Sequence, residues 1–221
     1  KKFDQFGAWD LGTRPELEVL KEINLHGVSV VELHKTERGF SYKLDSKLNR
    51  RITAQTPMRI AGAAEHLADI RKMMRTAFDP SGTTSRGTLN NCGHGKTPWG
   101  TYITCEENWA RYFQIASGSN PGDANHTASL KRYGVASAPL DPKATKAFGQ
   151  GWHTVSESDT RFTRWNLAVL ASDPSGDFRN EAYTFGYNVE IDPLNPAAAP
   201  VKRVSMGRFA HEVARIEALT G

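Results

Sequence analysis

The 221-residue chain holds only two cysteines, Cys92 and Cys105, too few for the disulfide framework that staples small secreted domains. No apolar run approaches the roughly 18 residues of a membrane span. The opening Lys1-Lys2-Phe3-Asp4 lacks the apolar centre of a signal peptide, so any export signal is expected to have been removed or never to have been there. An excess of either charge is also missing: 28 Lys and Arg against 24 Asp and Glu leave +4, spread along the chain, which excludes a basic nucleic-acid footprint and leaves acidic ligands unrepelled. Long helical patterns are few. With 19 glycines and 11 prolines, the chain is expected to be mainly β, with many turns and a few helices. Its 38% hydrophobic and 24% charged residues argue for a folded chain with one sizeable core.

Thr13-Arg14-Pro15-Glu16 followed by Leu17, Val19, Leu20 and Ile23 predicts a peripheral helix with Thr13 as its cap. From Val28 and Val30, through the turn Lys35-Thr36-Glu37-Arg38-Gly39, to Phe40, Tyr42 and Leu44, the period-two pattern predicts a β-hairpin. Leu67, Ile70, Met73, Met74 and Phe78 predict a helix over 63–78, with the methionines in the core. Trp99, Thr101, Ile103 and Cys105 share one face of a predicted strand that ends at Cys105, with Tyr102 and Thr104 opposite. A helix is expected at Trp109, Tyr112 and Phe113. Residues 116–150, rich in Ser, Gly, Asn and Pro, read as a surface excursion; within it Asn125-His126-Thr127 has the form of a glycosylation acceptor, a tripeptide common by chance. Strands are expected at Leu167–Ala171 and Tyr183–Asp192, and Glu212–Leu219 runs into a turn at Thr220-Gly221.

The densest polar cluster is residues 87–108. Gly87, Gly93 and Gly95 let backbone amides approach an anion, and Lys96 adds a cation beside them. It is not a P-loop, because Asn91 stands where the first glycine of that motif belongs. Cys105-Glu106-Glu107 combines a soft sulfur with hard oxygens, a donor set that suits a transition metal next to calcium or magnesium. A disulfide with Cys92, plausible if the protein is exported, or an inert thiol is the commoner account of Cys105. Glu190 and Asp192 share a strand face, and Arg208, His211 and Glu212 form a last polar group.

Residues 87–108, the segment from Phe185 through Gly186-Tyr187-Asn188-Val189-Glu190 to Pro193, and Gly207-Arg208-Phe209-Ala210-His211-Glu212 resemble, in that order, the PhoX-type alkaline phosphatase family. Pro57-Met58-Arg59-Ile60 and the stretch from His26-Gly27-Val28 to Glu32 resemble it too. The resemblance implies a partial β-propeller-like sheet assembly and an exported, periplasmic or secreted phosphomonoesterase built on ferric iron and calcium. It implies Cys105 as an iron ligand held as thiolate, Glu106, Glu107 and Glu190 as iron or calcium ligands, Glu212 as a further metal carboxylate, and Lys96 and Arg208 as catalytic cations on the phosphate. Metal ions would neutralise charge on the phosphoryl oxygens and activate an oxygen nucleophile in line with the leaving group. The family's downstream Arg-Pro-Glu segment has no counterpart after Glu212, and Arg14-Pro15-Glu16 reads as a helix start. Residues 1–221 are therefore expected to be a single domain cut from a larger ring, partnered by the missing C-terminal part of the same protein and acting on phosphate monoesters. The alternatives are a non-catalytic calcium-binding or structural module and, more distantly, a propeller-type sugar or lactone enzyme using one calcium ion.

Overall fold

A computed structural model describes residues 9–218 apart from 64, 147 and 148. The expected turn at Thr220-Gly221 and the opening four residues lie outside them.

Helix α1 spans Glu16–Leu25. Pro15, not Thr13, occupies its N-cap, with no side-chain cap bond; proline lacks the N–H that the first turn leaves unpaired and its φ suits a helix start. The helix is not peripheral, because Val19 and Ile23 are fully buried in the main core. Glu22 of α1 accepts from Trp152 Nε1 at 2.6 Å and pairs with Arg14 at 2.5 Å.

The expected hairpin divides in two. Strand β1 (Val28–Val30) pairs antiparallel with β4 (Arg50–Ile52), while β2 (Leu33–Thr36) and β3 (Gly39–Tyr42) form a hairpin of their own, exposed on both faces. After β5 (Pro57–Ala61), helix α2 covers only Ala68–Met74. The longer helix over 63–78 fails because its supposed core stripe meets solvent: Leu67 and Met73 are 49% and 48% exposed, and only Met74 is buried. Strands β6 (Thr84–Arg86), β7 (Asn91–Lys96) and β8 (Tyr102–Glu106) follow. The expected helix after β8 is a single 3-10 turn, Trp109–Tyr112.

The stretch 116–150 is not merely a surface excursion, since it contains helix α3 (Ala124–Arg132). Asp123 caps it by accepting from His126 N. At its other end Gly134 takes a left-handed φ of 70°, and its N–H donates to Lys131 O while Val135 N–H donates to Leu130 O. This is a Schellman closure, with Leu130 and Val135 both in the core. The tripeptide Asn125-His126-Thr127 therefore lies in the first turn of a helix.

A short helix α4 (Thr160–Thr163) precedes 167–171, which forms no strand. There the Leu170 and Ala171 amides donate to the Asp177 carboxylate, so a side chain replaces a strand partner. The expected strand over 183–192 is likewise shorter: Glu181–Thr184 is a 3-10 turn, and β9 is Asn188–Ile191. Strand β10 is Val201–Arg203.

The central sheet has the order β6-β5-β10-β9-β8-β7. Its β5–β10 pairing is parallel and the others are antiparallel. The chain is thus mainly β with a few helices, and its sheets do not close into a barrel. Much of the main core comes from outside the strands: Trp152 and Trp165 meet edge to face at 4.8 Å between ring centroids, beside Tyr112, Phe113 and Phe162. A smaller cluster of Ile52, Met58, Val189 and Ile191 ties β1 and β4 to the sheet. Charges are buried too. Arg164 pairs with Glu181 at 2.5 Å and donates to Ala54 O, and Lys202 pairs with Glu106 at 2.8 Å.

Candidate functional site

Strands β7 and β8 pair through a β-bulge in which Cys92 and Gly93 lie between the registers Asn91 to Glu106 and His94 to Thr104. A bulge re-aims side chains at a strand end. The residues after Phe209 run back along this hairpin without forming a regular strand: His211 N–H donates to Glu106 O at 2.9 Å and Gly93 N–H to Glu212 O at 2.6 Å. Gly93 and Gly95 make this approach possible, since a Cβ on either would stand 2.3 Å from Glu212 O or 2.0 Å from Ala214 O. The loop 87–96, the Cys105-Glu106-Glu107 segment and the 207–212 segment, far apart in sequence, therefore meet at one end of the sheet.

The residues the resemblance singles out fall into different environments. Glu106 is fully buried, with one oxygen on Lys202 Nζ and the other accepting from the Gly186 and Tyr187 amides at 2.8 and 3.0 Å. Its lone pairs are largely committed. Lys202 also donates to Thr184 O, and burial pulls its pKa down to about 8 against the opposing pull of Glu106. Glu190 accepts from Trp99 Nε1 at 2.7 Å and Thr101 Oγ1 at 2.5 Å, and pairs with Arg203 at 2.5 Å. Burial alone would raise its pKa, but these hydrogen bonds and the Arg203 charge hold it below the ordinary carboxylate value.

Cys105 is buried against Ile103 and Ala214. Burial, with the neighbouring Cys92, pushes the pKa of its thiol up to about 11. Both cysteines are free, which removes the disulfide reading. Cys92 is exposed, and its thiol hydrogen-bonds the Glu107 carboxylate with the Glu212 charge nearby; desolvation first, then these carboxylates, raise its pKa.

Arg208 is enclosed. Its guanidinium lies 4.1 Å from the Tyr133 ring centroid and 4.6 Å from that of Trp109, and donates to Phe185 O and Ala182 O at 2.9 and 2.7 Å. It also lines a pocket of about 510 Å³ with Arg132, Tyr133, Tyr183 and Tyr187. Lys96 stays exposed at the end of β7, where it and His94 line a pocket of about 510 Å³ closed by Val28 and Ile191. His211 is buried, one ring nitrogen against Asn188 Nδ2 at 3.2 Å and the other against Gly207 O at 3.1 Å.

Cys92 thus has the Glu107 carboxylate as a hydrogen-bond partner and the Glu212 charge nearby at the bulge, and the neighbouring Asn91 Oδ1 is buried without a partner. Even so, among the described residues no three His, Cys, Asp or Glu side chains form a cluster able to hold a metal ion. As placed, these residues do not complete an iron or calcium site. Sequence reasoning passed over two residues here. For Cys92 the available signal is its position in the same glycine loop, between Gly87 and Gly93. Lys202 carries no local signal, because its partner Glu106 is 96 residues away.

Among the described residues no helix is long and apolar enough to cross a membrane. A family model described as alkaline phosphatase PhoX matches residues 5–220. The solved structure of Pseudomonas fluorescens PhoX in complex with vanadate, a transition state analogue, is similar to this chain at 35% identity with a TM-score of 0.66. That similarity covers 89% of this chain and 29% of the other, so the chain spans under a third of that protein's length. No curated protein matches the chain.

Proposed function

Because the chain belongs to the PhoX family of alkaline phosphatases, we propose that it is one part of a phosphomonoester hydrolase whose active edge includes the end of β7 and β8. The observation that carries this reading is the meeting at the bulge of the three segments that carry Cys92, Glu107 and Glu212, joined by Gly93 N–H to Glu212 O and Glu107 N–H to Asn90 O. Together these segments carry a thiol and two carboxylates, ligand types of mixed softness, and exposed Lys96 ends the same strand. In this reading Cys92 takes the role first given to Cys105. Glu106 and Glu190, neutralised by Lys202 and Arg203, hold the strands that carry the edge.

Iron and calcium belong, in this proposal, to the assembled protein, with the donors that are missing here supplied from outside the described residues. The open six-stranded sheet and the 29% span support residues 1–221 as a single domain within a larger, propeller-like assembly completed by a C-terminal part. Phosphate monoesters as substrates, and a periplasmic or secreted location, belong to the same reading.

The test uses the full-length protein. It should hydrolyse p-nitrophenyl phosphate and carry stoichiometric iron. Cys92→Ser should lose metal and turnover together, while Cys105→Ala should keep both. Full turnover by Cys92→Ser would overturn the assignment; calcium alone with no turnover would identify a non-catalytic module.

A further inference from the structure

Beside Glu107 lies a groove of about 340 Å³ that the reading above leaves without a role. Its lining includes Glu107, Trp109, Arg111, Arg132, Tyr133 and Phe209. Three segments build it: the 3-10 turn after β8, the C-terminal end of α3, and the chain just before His211. The walls are aromatic. Trp109 and Tyr133 stand 6.3 Å apart between centroids, tilted by 46°, and Arg208 packs against both rings. Phe209 is 51% exposed, its backbone fixed by Trp109 Nε1 donating to its carbonyl at 3.2 Å and by its own N–H donating to Gly186 O at 3.1 Å. The Schellman closure of α3 fixes Arg132 and Tyr133 in the same way.

The charge on this groove is one-sided. Arg111 and Arg132 oppose the single carboxylate of Glu107, and Arg132 has no ion pair among the described residues. Planar guanidinium groups beside the half-exposed Phe209 ring, which also packs on His211 at 3.7 Å between centroids, suit a flat, electron-rich ring carried by an anion.

We propose that this groove receives the leaving group of the phosphate monoester and favours one that carries an aromatic ring. The proposal rests on the phosphatase reading, because only with Glu107 at the reacting edge does the adjoining groove face the departing alcohol. In the overall reaction water replaces the alcohol on phosphorus, the P–O bond to the leaving group breaks, and the alcohol departs with a proton. The groove acts on the alcohol alone, by stacking its ring on Phe209 and Tyr133 with Arg132 at the rim.

Adenosine 5′-monophosphate and ribose 5-phosphate test this in the full-length protein, because they share the same scissile bond and differ in the aromatic base. The nucleotide should be favoured in kcat/KM by about tenfold, the scale of one stacked base. Phe209→Ala should reduce that ratio to near one, and Arg132→Ala, at an exposed position, should reduce it partway. Equal kcat/KM for the two substrates, or a ratio that survives both substitutions, would overturn the groove assignment and leave the phosphatase reading standing. Hydrolysis of neither substrate would overturn the phosphatase reading itself.

Discussion

Replacing Lys202 by Met would remove the cation bonded to the buried Glu106. The side chains are of similar length, so packing changes little while the charge disappears. Removing one partner of a buried pair costs about 3–5 kcal/mol, because the remaining charge is left uncompensated. Here Glu106 keeps two amide donors, from Gly186 and Tyr187, and hydrogen bonds to a charged group are worth about 1.5–3 kcal/mol each. Those bonds soften the loss. Thr184 O, however, also loses the donor it has at 2.7 Å, which adds about 1 kcal/mol. We therefore expect about 3–4 kcal/mol of destabilisation. Guanidinium unfolding followed by tryptophan fluorescence reads it directly, since Trp109, Trp152 and Trp165 are buried. The double variant Glu106→Gln/Lys202→Met, which removes both charges, should be less damaged than Lys202→Met alone. A single variant within about 1 kcal/mol of the parent, or a double variant that is simply additive, would refute the claim that the pair is a coupled buried charge.

Burial holds the His153 pKa down at about 4, against 6.5 for a free imidazole, so the folded chain keeps it neutral while the unfolded chain binds a proton across that window. Stability should then fall as pH drops from about 6.5 to 4, by up to about 3 kcal/mol from this residue, and His153→Leu should flatten the profile in denaturant titrations across that range. Gly95→Ala would drive a Cβ into Ala214 O and lift the 212–216 segment from β7; titration with an aromatic disulfide reagent should count one fast thiol in the parent, Cys92, and two in the variant. If Cys105 stays protected in Gly95→Ala, the segment is not its cover.

Strand β8 was legible because Ile103 and Cys105 alternate with Tyr102 and Thr104, and alternation is a local property of the pleat. Strand β9 was only half legible. Asn188 and Glu190 look solvent-facing in sequence, yet both are buried by partners remote in the chain, among them His211, Trp99 and Arg203. The predicted helix over 63–78 erred the other way: three- and four-residue spacing identifies a face, but nothing local says what covers it. For the candidate site, the segments that meet were all visible as motifs. Which of the two cysteines is exposed depended on a bulge, and a bulge is set by the register between β7 and β8 and by no single residue.

The parallel pairing of Val201 with Arg59 also has a meaning in time. A ribosome adding about 5–20 residues per second needs roughly 7–30 s to supply the strand that β5 awaits, across about 140 intervening residues. Through that interval Met58 and Ile60 have no β10 beside them, although β6 arrives early. The central sheet is therefore joined only once β10 has been made, by a closure whose long loop slows folding. A nascent chain arrested before residue 200 should bind holdase chaperones, and one released after residue 203 should escape them.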